Sequence, residues 1–130
     1  MLLFVLSLFV AGATFATAQD SMRVAVERLV EAAQKRTTLW PWEGHVPEVA
    51  IVAAYGKAIA PLLVNILAED PDSLDENAPE VDWSVQQQVA LALCKIYRVR
   101  EESGHVYMNR ASPEENARVK LFWLKKVSQQ

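Results

Sequence analysis

Apolar residues recur along this chain at spacings of three and four, and no stretch alternates apolar with polar residues long enough to argue for a strand. That periodicity restricts the fold to helices packed on helices. The segment Asp20 to Lys35 shows it first. Met22, Ala25, Val26, Leu29, Val30 and Ala33 share one face, while Arg23, Glu27, Glu31 and Gln34 lie opposite. Asp20 or Ser21 can cap its first turn, and the β-branched pair Thr37-Thr38 weakens its end.

Proline and glycine punctuate the rest. Pro47 suits the first turn of a helix over Glu48 to Tyr55, because the N–H it lacks is unpaired there anyway. That helix is apolar nearly all round, so burial on most sides is expected, and Gly56 is placed to end it. Pro61 opens a further helix with Leu62, Leu63, Ile66 and Leu67 as its buried positions. Glu69 to Asp82 has two prolines and no basic residue, and reads as an acidic loop. Asp82 then caps a helix from Trp83 to about Val99, with Val85, Val89, Leu93 and Ile96 on its core line. After a second loop, Glu101 to Ala111, the run Ser112-Pro113-Glu114-Glu115 combines a cap, a first-turn proline and a glutamate that can return the capping bond. Ala117, Leu121 and Leu124 are expected to form the inner face of this last helix, with Trp123 and Val127 on its flank. The fold class expected is all-α, a compact helical bundle of about five helices in one domain.

The N-terminus reads as an address. Leu2 to Phe15 is an apolar run of the length of a signal core, and Ala16-Thr17-Ala18 places small residues where signal peptidase needs them. Residues 1–18 are therefore expected to be a signal peptide and 19–130 the mature domain, exported to the periplasm or secreted. No lysine or arginine precedes the run, so the α-amino group alone supplies the positive end. The run is short of the ~20 apolar residues a membrane span needs, so no stable span is expected after cleavage. Cys94 is the one cysteine and lies in the apolar run Val89 to Tyr97, which suits a small core residue and leaves no internal disulfide.

Net charge is −3, unevenly spread. From Gln19 to Asp82 five basic residues face twelve acidic ones; from Trp83 to Gln130 eight basic residues face four. The halves thus carry −7 and +4, with the basic charges scattered over helix faces rather than forming a tract, so no nucleic-acid partner is expected.

Two stretches, Tyr55-Gly56-Lys57-Ala58-Ile59-Ala60-Pro61-Leu62-Leu63-Val64-Asn65-Ile66-Leu67 and Asp82-Trp83-Ser84-Val85-Gln86-Gln87-Gln88-Val89-Ala90-Leu91-Ala92-Leu93, resemble HEAT repeats. The first is similar to the turn and second helix of a repeat, the second to the first helix of the next. The match spans roughly Pro47 to Ile96 and departs from the family pattern at Gln86, where arginine is usual, and in the acidic loop. The resemblance implies a short right-handed α-α superhelix of about two units, and a surface that meets a protein partner. It carries no catalytic residues.

Catalytic chemistry is not evident elsewhere. His45 and His105 stand in expected loops without a second ligand at metal spacing. Asp70, Asp72, Asp75, Glu76 and Glu80 lack the glycine turn and distal glutamate of a calcium loop. No catalytic residue, metal or cofactor is therefore expected. Trp40-Pro41-Trp42 is the most distinctive tripeptide, since proline holds the two indoles extended and an exposed indole anchors a partner or a sugar ring. The expected function is an exported protein-interaction scaffold or adaptor. The alternative is a small-ligand or carbohydrate binder in which Trp40, Trp42, Tyr55, Tyr97 and Tyr107 share a pocket.

Overall fold

The computed structural model describes residues 2–35, 45–67, 83–100 and 113–129. Among them are five α-helices and no strand: α1 (Leu2–Gln34), α2 (Pro47–Ala53), α3 (Ala60–Ile66), α4 (Trp83–Tyr97) and α5 (Pro113–Ser128). A 3-10 turn, Gly56–Ala58, joins α2 to α3. The all-α class follows as the periodicity requires.

Helix α1 has 33 residues, about 50 Å at 1.5 Å per residue. It runs unbroken through Ala18, so the expected signal segment continues directly into the first domain helix. Among its residues whose side chains are described, Thr17 to Ser21 are exposed and Met22 is the first to be buried. From there Met22, Ala25, Val26, Leu29 and Ala33 enter the core, with Val30 half-buried. On its outer face Arg23 pairs with Asp20 at 3.3 Å and Lys35 with Glu31 at 3.0 Å. Such exposed pairs contribute little.

Helix α4 is the centre of the packing and touches α1, α2 and α3. Its apolar line Val85, Val89 and Leu93 is fully buried, flanked by Ala90, Ala92 and Cys94. Two glutamines on it are buried as well, each with a backbone partner. Gln86 Nε2 donates to the Ile66 carbonyl at 2.9 Å, one of the carbonyls that the end of α3 leaves without a helical donor. Gln88 Oε1 accepts the Val46 N–H at 3.0 Å, at the cap position of α2. The central helix therefore fixes where α2 starts and α3 stops. Leaving such a buried group without a partner costs about 1–3 kcal/mol.

Two turns adopt left-handed backbone. Gly56, at φ 70°, terminates α2 as expected. A Cβ there would meet nothing within 4 Å, so conformation rather than crowding calls for glycine. Arg98, at φ 56°, ends α4, and the Val99 N–H reaches back to the Cys94 carbonyl at 2.9 Å. This is the six-to-one closure that usually employs glycine. An arginine in that conformation costs about 1–2 kcal/mol.

Two expectations about faces need correction. Helix α2 is not buried on most sides: Val49 and Val52 are fully covered, but Ala50 and Ile51 are exposed. With seven residues in α2, one side suffices to meet both α1 and α4. Helix α5 presents Asn116, Val119 and Trp123 inward, not Ala117, Leu121 and Leu124. Leu121 and Leu124 are 52% and 42% exposed. The indole decides that rotation, because it buries more surface than either leucine. Trp123 has no exposed surface and meets the Phe122 ring edge-on at 4.9 Å and Tyr97 of α4 at 6.1 Å. Leu62 and Ile96, expected in the core, are half-buried against it. The expected loops, Glu69 to Asp82 and Glu101 to Ala111, lie outside the described residues.

Candidate functional site

The face of α1 that leads away from the core meets the outward side of α2 in a groove of about 390 Å³. Val24 and Ala25 of α1 line one wall, and Ile51 with Tyr55 lines the other. Val24, Ile51 and Tyr55 are all substantially exposed; Ile51 is the most open large apolar side chain among them, at 57%. Their convergence has a simple origin. Val24 lies beside the buried stripe of α1, and Ile51 lies opposite Val49 and Val52 on a helix that shows its neighbours only one side.

Charged residues rim the groove: Asp20 and Arg28 on α1, Glu48 on α2. Glu48 Oε2 is shielded from solvent and has no hydrogen-bond partner among the described residues. The first-turn position of Glu48 suits the positive end of a helix, yet the buried oxygen still lacks a donor. A buried acceptor in that state is costly until a donor meets it. The groove thus offers apolar contact along its walls and a carboxylate, Glu48, on its rim.

A second cavity, about 440 Å³, opens where α4 and α5 end, lined by Lys57, Ile96, Tyr97, Arg98, Lys126 and Gln129. Burial raises the Tyr97 phenol above its ordinary pKa, so it remains a proton donor through the neutral range.

The structure places Tyr55 at the first groove and Tyr97 at the second cavity, so these two aromatics do not share a pocket. Trp40, Trp42 and Tyr107 lie outside the described residues, as do His105 and the acidic residues Asp70 to Glu80. His45 is half-buried, and Cys94 is 2% exposed within the core. Among the described residues no group of three or more His, Cys, Asp or Glu side chains could hold a metal ion. Val24, Ile51 and Glu48 were not singled out by sequence, since apolar residues at helical spacing read as core. The one available clue was the excess of apolar positions on α2 over what a seven-residue helix can bury.

Among the residues whose side chains are described, no helix is long and apolar enough to cross a membrane. Comparison with family models, with curated proteins and with solved structures found no match to this chain.

Proposed function

We propose that this chain is an exported, HEAT-like helical module that binds another protein and carries out no reaction itself. Its groove between α1 and α2 receives an apolar helix of the partner that bears a lysine or arginine. The gathering of Val24, Ile51 and Tyr55 in a groove rimmed by the Glu48 carboxylate is the observation that carries this reading. Apolar knobs of an amphipathic helix fit such a groove, and a cationic side chain pairs with the acidic rim. The HEAT-like part rests on the resemblance of the stretches Tyr55 to Leu67 and Asp82 to Leu93.

The groove reading is tested in the full chain with Ile51→Asp, against Leu121→Asp, an exposed residue of α5 that does not line the groove. A carbodiimide, which joins a carboxylate directly to an amine, should couple Glu48 to a lysine of the partner recovered from the native envelope. Ile51→Asp should lower that recovery at least about tenfold, because a charge without a partner is buried at the centre of the contact. Equal recovery by the two variants would sink the groove as the docking site.

Export rests on Leu2 to Ala18; Thr17 to Ser21, around the expected cut, are exposed. Mass spectrometry of the envelope or secreted protein should find an N-terminus at Gln19, in part cyclised to pyroglutamate. An intact Met1 on cytoplasmic material would refute the signal.

A further inference from the structure

The cavity at the ends of α4 and α5 is built unlike the first groove. Three cations reach it from three separate elements: Lys57 from the 3-10 turn, Arg98 from the end of α4 and Lys126 from the last turn of α5. No acidic residue lines it among the described residues. Two of the cations lie over aromatic faces, Lys57 Nζ at 5.7 Å from the Tyr97 ring centre and Lys126 Nζ at 5.7 Å from that of Phe122. Those contacts hold the two ammonium groups against the rings. Tyr97 and Gln129 add polar lining, and Ile96 an apolar wall.

Arg98 is the most telling member. It occupies the left-handed position that closes α4, where glycine is the ordinary solution. Residues held in sparsely populated backbone regions cluster at ligand sites. Arg98 lines the cavity with two more cations and makes no ion pair among the described residues.

We infer that this cavity binds a phosphate monoester, with Arg98 gripping two phosphate oxygens and Lys126 balancing its charge. The planar fork of arginine matches a phosphate in two parallel hydrogen bonds, while lysines act as point charges. About 440 Å³ lies in the range of small-molecule sites and leaves room for an organic group against Ile96 and Tyr97. The site is separate from the α1–α2 groove and stands or falls independently of the docking reading.

A simpler role for the same cations is to complement the negative ends of α4 and α5. The two roles part at Arg98→Gly, which gives the left-handed position its preferred residue and should leave Tm unchanged or higher. Phenyl phosphate titrated into the full chain, followed by amide NMR, should saturate with shifts at Arg98, Lys126 and Gln129. Arg98→Gly should weaken that binding by about tenfold or more. Lys126→Gln should weaken it too, leaving the α4 terminus untouched. Inorganic phosphate and vesicles of phosphatidylcholine containing phosphatidic acid serve as parallel probes. Arg98-dependent retention on the vesicles without saturation by phenyl phosphate would identify a lipid headgroup as the source of the ester; saturation by phenyl phosphate would identify a soluble one. Absence of saturable binding to any of the three probes, or equal binding by Arg98→Gly and the unaltered chain, would overturn the site and leave Arg98 and Lys126 as helix-end charges.

Discussion

Truncating Leu93 to alanine is expected to lower stability by about 2–5 kcal/mol. Leu93 is fully buried on α4, the helix that α1, α2 and α3 all pack against. Removing its isopropyl group leaves a cavity that no single neighbour can fill, because each is also held by other contacts of the same core. Gln86 and Gln88 add to that rigidity by tying α4 to the end of α3 and the start of α2. Set against the roughly 5–15 kcal/mol that holds a small domain folded, the loss threatens folding at growth temperature. Two residues on, Lys95 is exposed, and Lys95→Ala should change stability by no more than about 0.5 kcal/mol. Urea or thermal melts of both variants decide it. A near-neutral Leu93→Ala would mean that α4 is not the centre of the fold.

Trp123→Ala should cost about 3–5 kcal/mol. The indole has no exposed surface and ties α5 to the rest through Tyr97 of α4. Helix α5 otherwise leans on α3, so the cavity left by the indole would remove much of what holds the C-terminal helix in place. Leu121→Ala and Leu124→Ala should each stay within about 0.5 kcal/mol, since both side chains already meet water. The comparison is sharp because all three residues lie within four positions of one helix. If Leu121→Ala proved as damaging as Trp123→Ala, α5 would have to be rotated from the face described.

Positions where a single residue limits its own backbone were legible in the sequence. Proline at 47 and 113 begins helices, since its fixed φ suits a first turn, and glycine at 56 takes the left-handed turn open to it at little cost. The inward face of α1 was legible for a related reason. From Met22 to Ala33 one continuous apolar stripe faces a largely charged side, so burial favoured that stripe and left Val24 beside it exposed.

Where a helix carried more apolar positions than one contact face can cover, local pattern no longer decided. On α5 the lines through Leu121 and Leu124 and through Val119 and Trp123 are both plausible, and the packing against α3 and α4 selected the line with the larger ring. On α2 the surplus left Ile51 in the open beside Val24 and Tyr55, which is how the candidate groove arises. The same holds for Gln86 and Gln88, whose polarity reads as a solvated face until the unpaired backbone groups at Ile66 and Val46 come within reach. Arg98 and its two lysines are separated by up to 69 positions in the chain, and only the meeting of three elements makes them neighbours. Residue type and spacing determined which segments are helices and roughly where they begin and end, because those depend on each residue's own φ and on its nearest neighbours. Which face turns inward, and which side chains share a cavity, was decided by competition among helices for a limited buried surface, and that competition exists only in the folded chain.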